Sequence, residues 1–295
     1  MTRIFTYSIP EAFEGATLLS FLKSMHYSAP VITHLKRTEQ GILLNGVWGR
    51  VRDLLHTDDI LTITLKETDT SEKIVPVSLP LSIVYEDEDL MVINKPAGMP
   101  IHPSQGNFDN TLANAVAFLY QERKEPFVYR CINRLDRDTT GLLILAKNMY
   151  SASLLSNMVK NREIHREYLA IASGLVPEEG IIDQPIGRVA GSTIEREVNV
   201  LHGDPAITHY RRLAYKNGYS LVSLKLETGR THQIRVHMKS IGHPLPGDFL
   251  YHPDYSVIQR QALHSHRLSF NHPITKEALF FTAELPEDMA RLFRS

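Results

Sequence analysis

The sequence predicts an α+β protein built on a largely antiparallel, mixed sheet. Three observations carry that reading. The chain has 295 residues, 43% hydrophobic and 22% charged, enough for one large globular domain or two unequal ones. Short apolar runs that alternate every two residues stand beside stretches with helical spacing. The two kinds follow one another without the strand–helix–strand rhythm of a parallel, doubly wound sheet.

Residues 1–66 read as a unit of their own. Leu18, Phe21, Leu22 and Met25 recur at helical spacing behind Thr17, a residue suited to cap a helix. Ser28 and Pro30 open a second helix through Leu35, and Gly41 ends it. Ile42-Leu43-Leu44 then reaches Asn45-Gly46, a strong hairpin signal, and Leu61, Ile63 and Leu65 alternate as a half-buried strand. The expected order is helix, helix, small sheet. Residues 67–80, polar and then carrying Pro76 and Pro80, read as a linker.

A larger domain is expected over residues 81–295. Ile83-Val84-Tyr85 and Leu90 to Ile93 are short strands around the acidic turn Glu86-Asp87-Glu88-Asp89. Asp109 or Asn110 caps a helix through Tyr120, Leu142 to Ala146 is a buried strand, and Ser151 to Lys160 is a helix. Ile164 to Ala172 and Leu221 to Leu226 alternate as strands. Thr231 to Ile241 fits both periods, and Gly242 as a stop signal favours a helix. No internal repeat or low-complexity tract is present.

Composition narrows the function classes. The single cysteine, Cys131, excludes an internal disulfide and a cysteine-based zinc site. Fourteen histidines invite a metal reading, but no carboxylate stands at zinc-like spacing beside His232 and His237 or beside His264 and His266, so no metal is expected. The start of the chain lacks the apolar core of a signal peptide, and no stretch approaches the ~18 apolar residues of a membrane span, which predicts a soluble, cytoplasmic protein.

The net charge of −1 argues at first against a nucleic-acid partner. It is unevenly spread, however. Residues 67–129 hold 4 basic and 10 acidic side chains, whereas residues 130–240 hold 16 basic and 11 acidic. Local positive fields, not the total, attract phosphates.

Four segments could carry chemistry. In Asn94 to Pro103 three prolines and a glycine fix a loop at a strand end, with Lys95 placed to face an anion. In Asn133 to Gly141 one carboxylate, Asp136, lies between Arg134 and Arg137 ahead of a buried strand. A positioned carboxylate can act as a nucleophile on a sugar carbon, though such a cluster can equally be a salt-bridged turn. Arg166-Glu167-Tyr168 places within a strand a tyrosine that could stack on a base or simply pack. Glu227 to His237 carries Arg230, His232, Gln233 and Arg235 after a tight turn, where a helix N-terminus would add anion-binding donors.

Taken in order, these segments resemble the motifs of the RluA-type pseudouridine synthases. Asn133-Arg134-Leu135-Asp136-Arg137-Asp138-Thr139-Thr140-Gly141 is similar to that family's His-Arg-Leu-Asp-x-x-Thr-Ser-Gly signature, with Asn133 for the usual His and Thr140 for the usual Ser. The Lys95 to Pro103 loop, Arg166 to Ala170, Leu226 to His237, Gly242 to Asp248 and Leu263 to Leu268 resemble the other motifs, so the likeness runs from about Leu81 to the end. Residues 1–66 are similar, more loosely, to a small S-four-like RNA-binding domain through Leu43-Leu44-Asn45-Gly46 and Asp58-Asp59-Ile60, with Ala16-Thr17-Leu18 where that domain usually opens on Arg-Leu-Asp.

The resemblance implies a pseudouridine synthase fold with a central RNA-binding cleft, and an isomerase that turns a uridine in RNA into its carbon-linked isomer without cofactor or metal. It implies Asp136 as the essential carboxylate, Arg230 as its basic partner and Tyr168 as the residue packing on the target base. It makes Arg134 the residue that fills the space of the flipped nucleotide. Lys95, His232, Gln233 and Arg235 are expected to bind substrate. Ribosomal RNA is favoured over transfer RNA, and a monomer is expected. A catalytically silent RNA-binding protein of the same fold and a nucleoside glycosidase are the alternatives; the latter would release free uracil and usually needs two carboxylates.

Overall fold

The computed structural model describes residues 1–294. The chain opens on a strand, not a helix: β1 (Thr2–Ser8) precedes α1 (Leu18–Ser24), α2 (Ala29–Arg37), β2 (Ile42–Leu44), β3 (Val47–Trp48) and β4 (Ile60–Lys66). These strands form a separate four-stranded sheet in the order β1-β4-β2-β3. Thr17 caps α1 by accepting from the Ser20 amide, and Pro30 lies in the first turn of α2, where its missing N–H costs nothing. Asn45 and Gly46 both have positive φ, the geometry of the tight hairpin between β2 and β3. Leu61, Ile63 and Leu65 are buried on one face of β4.

The rest of the chain comprises β5 (Ile83–Glu86), β6 (Leu90–Lys95), α3 (Leu112–Arg123), β7 (Thr140–Ala146), α4 (Met149–Lys160), β8 (His165–Ser173), β9 (Glu179–Asp183), β10 (Ile186–Arg188) and β11 (Arg196–Val198). It continues with β12 (Ile207–Lys216), β13 (Tyr219–Leu226), α5 (Gln233–Ser240), β14 (Leu263–Asn271), β15 (Ala278–Thr282) and α6 (Glu287–Ala290). Nine strands form one sheet in the order β5-β6-β7-β14-β8-β13-β12-β9, with β15 beside β14. Every pairing is antiparallel except β7 with β14. The expected α+β class with a largely antiparallel mixed sheet is therefore observed. Helix α3 begins one or two residues later than expected. Its cap is Thr111, which exchanges hydrogen bonds with Asn114, while Asn110 lies outside the helix.

One core lies between the sheet and helices α3 and α5, with Ile93, Val116, Leu143, Leu224, Ile234 and Met238 at its centre. A second packs α4 on the other face of β6 and β7. Helix α4 also enters the core of residues 1–66 through Tyr150 and Leu154. The Tyr27 and Tyr150 rings stack with centroids 3.8 Å apart, and the Tyr150 hydroxyl donates to the Met25 carbonyl at 2.9 Å. Arg3 reaches Asp89 across the same junction at 2.8 Å. Among the described residues no helix is long and apolar enough to cross a membrane.

Candidate active site

The parallel contact between β7 and β14 positions the site. Gly141 has φ +108°, and a Cβ there would lie 2.2 Å from the Ser265 carbonyl oxygen, so only glycine admits this approach. The loop before Gly141, which carries Asp136, is clamped from two sides. Lys95 Nζ donates to the carbonyls of Pro96, Met99 and Arg137, and Arg260 donates to the carbonyl of Asp138. Lys95 is 1% exposed, with all three ammonium protons engaged, so it ties two loops together and does not face an anion as the sequence suggested. Burial pushes its amine down to about 7, against the pull of Asp138 and Asp136.

Asp136 is 28% exposed at the floor of a cleft of about 560 Å³. Its Oδ2 accepts from Arg235 Nη1 at 2.9 Å, and its Oδ1 accepts no hydrogen bond among the described residues. Arg235 is 1% exposed and forks onto Asp248 through Nε at 2.6 Å and Nη2 at 2.7 Å. Two carboxylates therefore fix one buried guanidinium, and its ionisation is pushed upward by those partners against the cost of burial.

This corrects the assignment of Arg230 as the partner of Asp136. Arg230 is exposed, donates to the Pro205 carbonyl and lies 3.9 Å from Asp204. The physical reason is where the helix begins. His232 adopts a left-handed conformation, φ 59°, so α5 starts at Gln233 and turns Arg235 inward, while Arg230 stays on the preceding turn. Gln233 is corrected as well. It is buried, accepts from the Arg230 amide and Thr228 hydroxyl, and donates to Ile207 and Thr208, so it braces the turn rather than binding substrate. Nor is Arg235 free for substrate, since its fork is filled.

His232 stays in the cleft wall, its Nε2 4.0 Å from Asp136 Oδ2 and its Nδ1 2.9 Å from the Tyr251 hydroxyl. Burial lowers its pKa, against the pull of Asp136, which favours the neutral ring. Tyr168, buried on β8, lines the same cleft, and Arg134 stands exposed beside it. Arg162 and Arg166 continue the basic wall. Sequence reasoning gave no role to Asp248, Tyr251 and Arg260. Asp248 lies in a segment, Gly242 to Asp248, whose likeness was noticed but whose side-chain partners only the fold supplies.

The two departures in the signature are structural. Asn133 is buried, and its Oδ1 accepts from the Ile144 amide of β7 at 2.9 Å. His264 Nε2 faces the Ala283 carbonyl, so it carries the proton and Nδ1 accepts from the Thr140 hydroxyl at 2.8 Å, a bond that a serine could also make. One cluster has the composition of a cation site, Asp87, Asp89 and His272. Its carboxylate oxygens are already taken: Asp87 accepts from the Asp89 and Leu90 amides and from Tyr85 and lies 2.9 Å from His272 Nε2, and Asp89 accepts from Arg3, Asn148 and Ser151.

A cleft walled by exposed arginines, with one braced carboxylate and a buried tyrosine in its lining, can hold an anionic polymer beside a single reactive carboxylate. The family model for RNA pseudouridylate synthase matches residues 89–240. RNA pseudouridine synthase YjbO of Bacillus subtilis is 39% identical over 94% of this chain and 98% of its own. Ribosomal large subunit pseudouridine synthase D of Haemophilus ducreyi is 42% identical over 75% of this chain and 72% of its own. Among solved structures, human RNA pseudouridylate synthase domain containing 1 superposes with a TM-score of 0.59 at 27% identity, covering 70% of this chain and 84% of its own. The chain belongs to the RNA pseudouridine synthases, in their RluA-type branch, and is an isomerase that acts on RNA.

Proposed function

We propose that this protein isomerises specific uridines in structured ribosomal RNA, with Asp136 as the acting carboxylate and without a cofactor. The observation that carries the reading is the asymmetry of Asp136. One oxygen is held by Arg235, and the other has no partner among the described residues, in a side chain that lines the open cleft. A carboxylate so placed can act on the ribose of a flipped nucleotide. Flipping is required because the sugar carbon is out of reach in a stacked helix. The bond from ribose to N1 of uracil breaks, the base turns, a bond from ribose to C5 forms, and the C5 hydrogen leaves as a proton while N1 gains one. Tyr168 packs on the target base, Arg134 fills the vacated stack, and His232 closes the wall beside the sugar. Keeping water out lets the freed uracil recapture the sugar.

Ribosomal RNA is supported by the relative named for the large ribosomal subunit. Residues 1–66, read as an S-four-like unit joined by the linker 67–80 to the catalytic domain 81–295, add a second grip on that RNA. In this reading the acting form is a monomer. The position of Asn133, bonded to backbone behind the loop, supports an active enzyme over a silent binder.

The test is tritium release from ribosomal RNA transcribed with uridine labelled at C5. Wild type is expected to release tritium, and Asp136→Ala to fold and release none. No release by folded wild type from any cellular RNA overturns the reading, and free uracil as product would make the protein a glycosidase.

A further inference from the structure

His232 enters the cleft from a left-handed backbone position, φ 59°, a conformation that is costly for a residue with a Cβ and that concentrates at functional sites. Its ring is 13% exposed, and only one of its two nitrogens is bonded. Nδ1 lies 2.9 Å from the Tyr251 hydroxyl, whereas Nε2 has no hydrogen bond among the described residues and lies 4.0 Å from Asp136 Oδ2. Which nitrogen of a neutral imidazole carries the proton is set by the bond the other one makes, and it decides what the ring offers a ligand.

Two separate contacts assign that proton. The Tyr251 hydroxyl oxygen accepts from the Arg196 amide at 2.9 Å, and a backbone N–H can only donate. The hydroxyl's own proton then has one acceptor among the described residues, His232 Nδ1. At the other end of the ring, Nε2 stands near a carboxylate oxygen, which repels a lone pair and attracts an N–H. Both ends give the same tautomer, with Nδ1 bare and Nε2 protonated. Burial pushes the Tyr251 hydroxyl up to about 12, against the Arg196 amide and the Arg235 guanidinium, so its proton is in place at neutral pH.

Tyr251 is itself held. Its amide donates to Asp248 Oδ1 at 3.2 Å, and the Arg235 guanidinium lies over its ring, 5.0 Å from the centroid. Asp248 thus anchors two chains of contacts that both end beside Asp136, one through Arg235 and the other through Tyr251 and His232.

We propose that Tyr251 is a positioning residue that fixes His232 as the neutral Nε2–H tautomer, and that this N–H donates to a ribose oxygen of the flipped nucleotide beside Asp136. The proposal rests on the action of Asp136 at the ribose and adds a fixed donor next to the reacting carbon. A neutral ring suits that place. An imidazolium would pair with Asp136 and compete with the sugar for it, and a bare Nε2 would offer the sugar no donor.

The test uses the full-length protein with its histidines labelled with nitrogen-15. Two-bond proton–nitrogen correlation spectra at neutral pH show which nitrogen of each ring is protonated, and the His232 signals are those missing from His232→Gln. Wild-type His232 is expected to show one bare and one protonated nitrogen, with Hδ2 correlated to the protonated one. Tyr251→Phe is expected to populate both tautomers and move the two nitrogen shifts toward each other, which a role in packing alone would not do. On C5-tritiated ribosomal RNA, Tyr251→Phe should lower kcat about 3- to 10-fold, with KM within about two-fold. His232→Ala should lose about 10-fold or more in kcat, and His232→Gln, whose amide keeps a donor near the place of Nε2, only about 3-fold. Rates and spectra are taken well below each variant's melting temperature, so stability lost with the Arg196 contact does not enter. His232 protonated on Nδ1, or nitrogen shifts that stay in place in Tyr251→Phe, overturns the role of Tyr251. The expected spectra with full kcat in His232→Ala overturn the donor role. Absence of tritium release by wild type fails the reading of Asp136 and the donor role with it, while the spectra still decide whether Tyr251 fixes the proton.

Discussion

Asp136 and Arg230 face the same cleft from loops of opposite construction. The Asp136 loop is pinned by Lys95, Arg260 and Arg235, all buried, whose donors end on its carbonyls or its carboxylate. The Arg230 turn is braced underneath by Gln233 but leaves its arginine in solvent, beside Arg134 and Arg162 at the cleft mouth. Charges on the floor are paired, desolvated and immobile, which suits a reacting group that must be held in place. Charges at the mouth are exposed and loosely held, Arg162 by Glu227 and Arg230 near Asp204, and they act through a field that salt weakens. Two arginines five residues apart in one motif thus do different physical work.

Removing the floor's central charge is the strongest way to break this contrast. Arg235→Met leaves Asp248 fully buried without its fork, and is expected to cost about 3–5 kcal/mol in urea unfolding. Tritium release per folded molecule should also fall to near background. A stable, active Arg235→Met protein would mean that the floor is not organised by this ion network.

Acid tests the same region through His264, which supports Thr140 behind the Asp136 loop. Burial pushes its pKa down to about 4, against about 6.5 unfolded. Between these values the unfolded chain binds the proton and the folded chain does not. Stability is therefore complete above about pH 6.5 and declines as pH falls toward 4, by up to roughly 3 kcal/mol. Burial lowers His232, His237 and His102 as well, adding in the same direction. Urea unfolding at pH 7 and pH 4.5 checks this, and His264→Gln should flatten the dependence.

The cleft mouth should respond more mildly. Arg230→Gln is expected to raise KM about 3- to 10-fold, leave kcat nearly unchanged and reduce the salt dependence of RNA binding by about one phosphate contact. A large fall in kcat would return Arg230 to the floor. The smallest effect sharpens the comparison at the signature itself. Asn133→His, which restores the commoner residue behind the loop, should change tritium release by less than about three-fold, because a ring nitrogen can also accept from the Ile144 amide.

How far the sequence reached follows from which interactions are local. Thr17, Asn45-Gly46 and the Leu61-Ile63-Leu65 alternation act within a few residues, and each was legible. Strand β1 was not, because only Phe5 of its side chains is buried and its pairing partner lies some 60 residues on. The likeness of motifs placed Asp136, Tyr168 and Arg134 around one cleft. It did not separate Arg230 from Arg235, since the difference is made by one backbone angle at His232. Lys95 read as an anion ligand because its three carbonyl acceptors lie on backbone, which leaves no mark on residue identity.

Helix α4 closes one more relation. Its 12 residues span roughly 18 Å at about 1.5 Å per residue; one end lends Tyr150 and Leu154 to the core of residues 1–66, and the other brings Val159 and Lys160 to the cleft. Because both units bury surface on one rigid rod, they are expected to melt as a single cooperative transition. Under the proposed second grip by residues 1–66 the rod would be a ruler: an RNA held at both ends gains effective concentration only if its own fold presents the two contacts at that spacing, so selectivity can reside in distance as well as in sequence.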